Sequence, residues 1–414
     1  MAEADPPVRV RAPKGRSLWW TVHAWAGLKL SLFMAWVMLT GTLATFSVEM
    51  DWLARPAMRV MPQDAPLASW GTLVEAARAA PAREGLKGAK VGTIYAPQHS
   101  WFSVEAIAAT DDGRYRIYLD PYSGEARGTG AWTSFQRFFR EMHRHLLMPA
   151  KWGIPLVCSL SLLLLASLVT GLVSYKKFWR GFLRKPRGGN ARRLNGDMHR
   201  LAGLWSLWFV ALIGLTGFWY LVESLGGDAP YAKAPNLADT TPAIMLDAAR
   251  IDRLAATAQA TYPALRILEM RLPDKAGKPI GFFGQADAML VRDRVNGVWL
   301  DPANGRVIEV LRGESLTAHQ RISEMADPLH FGTFGGMATK IIWFVFGVFL
   351  TGLCVTGAAI YSLRIANSGQ PEERRAARRH GLVRRMFIGM GFWRWPAIAA
   401  VVASLMLIPG WLMK

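Results

Sequence analysis

Apolar positions along the chain gather into five long runs, at 18–48, 153–175, 201–225, 341–363 and 395–413. An α-helix needs about 20 residues to cross the ~30 Å hydrocarbon layer of a bilayer. Backbone groups in lipid must be paired within their own segment, so each run predicts a membrane-spanning helix. The leading run is too long for a secretory signal and has no clear cleavage site, so it reads as a retained helix. Between the runs the pattern shortens and alternates. Ser69 predicts the cap of a helix reaching about residue 80. Strands are expected near 91–96, 101–108 and 114–119, with Asp112-Gly113 as a hairpin turn. Farther on, a helix near 247–261 precedes strands near 265–272, 279–284, 289–294 and 297–300, and amphipathic stretches near 132–147 and 315–328 lead back to the apolar runs.

Charge gives these elements a direction. The chain carries a net charge of +19 over 414 residues. Residues 1–18 hold four basic against two acidic residues, 176–200 nine against one, and 364–394 eight against two, so sixteen of the nineteen excess charges lie there. Lys and Arg mark cytoplasmic segments. The expected order is therefore a cytoplasmic N-terminus (1–18), a first span (19–48), an outer module (49–150), a second span (153–175) and a basic cytoplasmic loop (176–200). A third span (201–225), a second outer module (226–336), a fourth span (337–363), a basic cytoplasmic segment (364–394) and a fifth span (395–413) follow. This is a multi-pass protein of a bacterial inner membrane with its large loops in the periplasm. The basic balance is a topology signal helped by anionic lipid, so the partner is the bilayer and no nucleic acid is expected. Cys158 and Cys354 are the only cysteines and both fall in membrane runs, which leaves no disulfide framework or thiolate cluster.

The two halves repeat. At an offset of 176, His23-Ala-Trp-Ala-Gly27-Leu28 matches His199-Arg-Leu-Ala-Gly203-Leu204, and Thr40-Gly41 matches Thr216-Gly217. Asp120-Pro-x-x-Gly124 and Asp301-Pro-x-x-Gly305 fit turns in corresponding places, and Thr170-Gly171 and Thr356-Gly357 close each unit. The expected fold class is a mainly α membrane protein. A duplicated unit of helix, outer α+β module and helix makes a four-helix core, with a fifth C-terminal membrane helix outside the repeat.

Four of the eight histidines stand at matching places. His23 and His199 lie just inside the cytoplasmic ends of the first and third spans, and His145 and His330 at the outer approaches to the second and fourth. A single such residue reads as interfacial, but four at related positions read as a site. Zinc would want three or four donors at one point, whereas these form two pairs on opposite faces. Haem iron takes one or two axial imidazoles and an apolar slot. Gly27 and Gly203 follow their histidines by four residues, and Gly41 and Gly217 by eighteen, so all four share the histidine face. They suit the approach of a flat ring and equally suit close helix packing. The expected axial pairs to haem iron are His23 with His199 and His145 with His330, about 20 Å apart given the thickness of the hydrocarbon layer. His143 competes with His145 as the outer ligand. Arg16, Arg144 and Arg200 are candidates for haem propionates or, more simply, solvated topology charges. His99 is a candidate for facing an outer substrate, and His319 and His380 read as surface residues. The many tryptophans that flank the runs read as an interfacial belt.

The repeated His-x-x-x-Gly-Leu helices, the Asp-Pro-x-x-Gly turns and the Leu-His approach at His330 resemble the PepSY-associated transmembrane family over about residues 18–365, and within it the siderophore-iron reductase branch of the FoxB type. The resemblance implies two b-type haems held in the helical core, outer PepSY-type modules, and reduction of Fe(III) in a periplasmic ferric siderophore to release Fe(II). No catalytic residue beyond the haem is expected. No GxGxxG follows a predicted strand, so electrons are expected from quinol or a separate reductase. Two other readings stand beside this one: a haem subunit delivering electrons to a partner protein, and a non-enzymatic PepSY-type membrane sensor or assembly module.

Overall fold

The computed structural model describes residues 18–83, 88–175, 177–237, 245–365 and 381–413. The basic segment up to residue 17 with Arg16, residues 366–380 with His380, and Lys414 lie outside the described residues. In chain order the longer helices and the strands are α1 (Leu18–Lys29), α2 (Ser31–Thr45), α3 (Ser47–Ala54), α4 (Trp70–Arg83), β1 (Lys90–Tyr95), β2 (Val104–Thr110), β3 (Gly113–Leu119), β4 (Ala126–Ala131), α5 (Phe135–His145), α6 (Ala150–Cys158), α7 (Leu160–Ser174), α8 (Ala191–Trp205) and α9 (Leu207–Val222). There follow α10 (Ala248–Thr261), β5 (Arg266–Arg271), β6 (Ile280–Gln285), β7 (Asn296–Leu300), β8 (Val307–Leu311), α11 (Ala318–Phe331) and α12 (Gly336–Ile365), then helices at Leu382–Met390, Arg394–Met406 and Ile408–Leu412.

Four described stretches are long and apolar enough to cross a membrane, namely Ala150–Ser174, Leu207–Gly227, Gly336–Tyr361 and Gly391–Leu412. The pair α1 and α2 makes a fifth if counted as one span, but it is bent by 65°. The run expected as a single helix over 19–48 is thus broken at Leu30. The break coincides with Lys29, the one charged residue of that run, whose Nζ donates to the Met390 carbonyl at 3.5 Å. The chain is a multi-pass membrane protein.

The chain divides into two compact units. Unit 1 comprises residues up to Trp36, Leu160–Gly214 and Phe349–Val401. It is helical: α1 packs along α7, and Ala26, Leu28, Leu164, Leu204, Phe209 and Leu350 are buried in it.

Unit 2 comprises Val37–Ser159, Leu215–Val348 and Val402 onward. Its centre is one antiparallel sheet of eight strands in the order β4-β3-β2-β1-β5-β6-β7-β8. The two outer modules are therefore not separate, because β1 and β5 pair through Thr93–Arg271, Ile94–Met270 and Tyr95–Glu269. Alternating residues such as Ile94, Ala106, Ile117, Phe282 and Val298 bury one face against Val74 and Ala77 of α4 and Ile251 and Leu254 of α10. The Asp-Pro-x-x-Gly turns form as expected: Gly124 and Gly305 take φ of +75° and +78°, and Asp120 and Asp301 accept backbone N–H groups of their own turns.

The strand expected near 289–294 is absent, replaced by a 3-10 turn at Asp293–Val295. Side chains hold that segment away from the ladder. Arg292 Nε donates to Glu324 at 2.6 Å, and Gln285 Nε2 donates to Asp293 at 2.6 Å.

Two capped helices carry the sheet's connections toward the spans. Ser134 Oγ accepts from Arg137 N at the start of α5, and buried Asp51 accepts from Phe135 N and Gln136 N at 2.8 and 3.0 Å. Thr317 and Gln320 form a capping box on α11, which ends at Gly332 with φ +67°.

Candidate functional site

Unit 1 brings His23 of α1 and His199 of α8 together, with ring centroids 6.4 Å apart and ring planes at 78°. His23 Nδ1 lies 3.0 Å from the Ser167 carbonyl and 3.2 Å from Thr170 Oγ1. A carbonyl only accepts, so the imidazole proton sits on Nδ1. His199 Nδ1 lies 2.9 Å from Thr356 Oγ1. The Thr356 hydroxyl donates its own proton to the Gly352 carbonyl at 2.7 Å, so it accepts from His199. In the neutral form both rings thus keep the Nε2 lone pair, and neither Nε2 has a hydrogen-bond partner among the described residues. Gly171 and Gly357 make room for the rings. A Cβ at Gly171 would stand 3.3 Å from His23 Cε1, and one at Gly357 3.4 Å from His199 Cε1. At Gly27 a Cβ would meet nothing within 4 Å, and at Gly203 only Leu353 Cδ2 at 3.7 Å. Among the described residues, close helix packing does not require either glycine.

Arg200, a candidate for a propionate, is engaged elsewhere. It pairs with Asp197, which Arg187 also holds at 3.0 Å, and the Arg187 hydrogen bonds keep that carboxyl well below the usual range.

Unit 2 brings together His143 of α5 and His330 of α11, with ring centroids 6.1 Å apart and planes at 37°. This corrects the pairing of His145 with His330. His145 closes α5 just before the αL residue Leu146, its Nδ1 is buried without a partner among the described residues, and its backbone packs on Gly153. His143 Nδ1 donates to the Val37 carbonyl at 2.9 Å, which also accepts from Thr40 Oγ1. His330 Nδ1 lies 2.8 Å from Thr216 Oγ1. Gly41 is needed here, since a Cβ would stand 2.6 Å from His143 Cε1. Gly217 follows Thr216 in α9 and is half-buried. Burial lowers the pKa of His143, and it pushes His330 down to about 3, with His143 adding to the shift. Both imidazoles are therefore neutral at physiological pH, the form that binds metal.

Each of the four paired histidines thus meets one Thr-Gly dipeptide, at 40–41, 170–171, 216–217 or 356–357. These dipeptides were legible as repeat marks, and their spacing from the histidines was the available sign that they serve the rings. Spacing gave no sign of a polar chain beside His330. The Tyr220 ring lies 5.2 Å from His330, its hydroxyl donates to Asp327 at 2.7 Å, and Arg292 Nη1 donates to the same carboxylate at 3.0 Å.

The remaining candidates have other surroundings. His99 stacks on Trp101 at 4.7 Å with Glu49 at 3.8 Å, and burial lowers its pKa while Glu49 opposes the shift. His319 is exposed and bonds the Gly227 carbonyl. Arg144 forms no ion pair among the described residues.

Among the described residues no three of His, Cys, Asp and Glu gather as a metal cluster. Two paired imidazoles whose Nε2 atoms have no partner among the described residues suit instead a metal that brings its other ligands with it, as in a macrocycle. Metal–imidazole bonds of about 2 Å on either side put the ring centres about 6 Å apart, close to both observed separations. The Nδ1 anchors are the second-shell partners that fix ring orientation in such sites. The residues present therefore fit two bis-imidazole haems.

Among curated proteins, none matches the chain closely enough to be named as a relative. The model of the PepSY-associated TM region matches residues 20–364, most of the chain, and the protein belongs to that family.

Proposed function

We propose that this protein holds two b-type haems, one on His23 and His199 and one on His143 and His330, and reduces ferric siderophore on the outer side of a bacterial inner membrane. The single observation that carries the reading is the pairing of imidazoles about 6 Å apart, each with Nδ1 anchored and Nε2 without a hydrogen-bond partner among the described residues. Bound there, haem would supply one-electron redox chemistry. The chain's own part is to orient the rings through Ser167, Thr170, Thr356, Val37 and Thr216, and to keep His143 and His330 unprotonated by burial.

The acceptor in this reading is Fe(III) in a chelate of hard oxygen donors. One electron converts it to Fe(II), which such donors hold less well, so iron is released. The electron comes from a quinol or a separate reductase. The siderophore reductase branch that the sequence resembles supports this choice of acceptor.

The test is single-turnover reduction. The purified protein, reduced beforehand and freed of excess reductant, is mixed with a ferric siderophore and an Fe(II)-specific chromophoric chelator. The reading expects Fe(II) to appear as the haem reoxidises. A reduced haem protein that stays reduced in the presence of ferric siderophore would favour delivery of electrons to a protein partner instead.

A further inference from the structure

Unit 2 contains a cavity of about 690 Å³, the size of a small-molecule site. It is bounded by the segment 228–234, by residues of β5 to β8 and by α11. Its wall carries five cations, Lys233, Arg271, Arg292, Arg294 and Arg312, against the four acids Glu223, Asp228, Glu309 and Glu324. Glu324 is already held by both Arg292 and Arg294. Lys233 and Arg312 form no ion pair among the described residues. Two further donors on wall residues, Arg294 Nε and Trp299 Nε1, are buried with no acceptor among the described residues. Tyr231 is exposed on this wall with Arg294 over one face of its ring, whereas Phe283 and Trp299 pack against each other and are buried.

The cavity is also tied to the outer histidine pair. Arg292 on its wall donates to Asp327, which accepts from Tyr220, whose ring touches His330. The first half of the chain lacks this arrangement. At the 176-residue offset Ala44 stands opposite Tyr220, so only the His330 side has the aromatic hydroxyl.

We infer that this cavity binds an anionic ferric catecholate, with Lys233 and Arg312 meeting its oxygens and Tyr231 facing one of its rings. The inference rests on the function proposed above and names its acceptor site. Catechol oxygens are acceptors of hydrogen bonds, a tris-catecholate of a trivalent ion is strongly anionic, and its rings stack on aromatic side chains.

Gallium(III) tris-catecholate is the probe, because gallium is not reduced and binding is read whether or not haem is loaded. Equilibrium dialysis against the purified full chain, with gallium counted by elemental mass spectrometry, measures affinity. Saturable binding is expected, roughly tenfold weaker in Arg312→Gln and in Lys233→Gln, each of which removes one charge-assisted contact. Glu309→Gln should tighten it, and the metal-free catecholate should bind far less well than the complex. No binding by protein that carries its full haem spectrum overturns the site and leaves the haem reading standing. Equal affinity across the three charge variants, or for the metal-free ligand, also overturns it. A colourless protein that binds with these sensitivities supports the site and removes the haem reading.

Discussion

His143 faces His330 across 6.1 Å, while His145, two residues farther along the same helix, does not take part. Successive residues of an α-helix turn by about 100°, so positions two apart point roughly 200° away from each other and only one can serve a given partner. His143→Ala and His330→Ala should each remove about half of the haem bound by the wild type, and His145→Ala should leave it unchanged. Haem per chain by the pyridine haemochrome assay decides this. Loss in His145→Ala with retention in His143→Ala would reverse the assignment.

Glycines near the rings should divide by what their missing side chains would meet. Gly41→Ala drives a methyl to within 2.6 Å of His143 Cε1 and should cost about 1–3 kcal/mol of stability as overpacking, together with the haem at that pair. Gly27→Ala meets nothing within 4 Å, so the apoprotein should unfold at an unchanged temperature while haem content falls. An unchanged haem content in Gly27→Ala would show that no flat group approaches that helix face.

Thr216 and Thr356 should act through the histidines they anchor. Thr216→Val and Thr356→Val keep the volume and remove the Nδ1 partner. Loss of such a partner lowers metal-site affinity by about 10–100-fold. Haem transfer to a stronger acceptor should be faster in both variants, and the midpoint potential of the affected haem should shift. Wild-type transfer rates together with wild-type potentials would show the threonines to be bystanders.

Acid should destabilise unit 2 through its buried imidazoles. His330 is held at about 3 in the folded chain, below the value of about 6.5 for a free imidazole. Between those values the unfolded chain binds a proton that the folded chain refuses. The stabilisation is therefore complete above pH 6.5 and is lost as pH falls toward 3. His143 and His99, also lowered by burial, act in the same direction. The unfolding temperature of the haem-free protein in detergent should drop from pH 7 to pH 4, and His330→Gln should flatten the drop. A pH-independent unfolding temperature would contradict this.

Much of this arrangement was legible in the sequence because it follows from periodicity. Four of the apolar runs, the Asp-Pro-x-x-Gly turns and the helices capped by Ser69 and Asp247 appear where local chemistry put them, while the first run is bent at Leu30. Features set by distant partners were not legible. The strand β4, with the sequence Ala-Arg-Gly-Thr-Gly-Ala, has neither β-branched enrichment nor alternation and exists because β3 pairs with it. The join between β1 and β5 links residues such as Ile94 and Met270, far apart in the chain. The choice between His143 and His145 depends on the rotation of α5, which Ser134 and Asp51 fix from outside the helix. Nothing local distinguishes Tyr220 from the other aromatic residues of its apolar run; its partners Asp327 and Arg292 are more than seventy residues away in the chain.

The central claim is tested most directly by the visible spectrum and haem stoichiometry of the protein purified from cells with ample haem supply. Two haems per chain, with a sharp α band on dithionite reduction typical of two imidazole ligands, is the predicted result. A colourless protein, or one whose haem content is unaffected by removing His23, His143, His199 and His330 together, would contradict it.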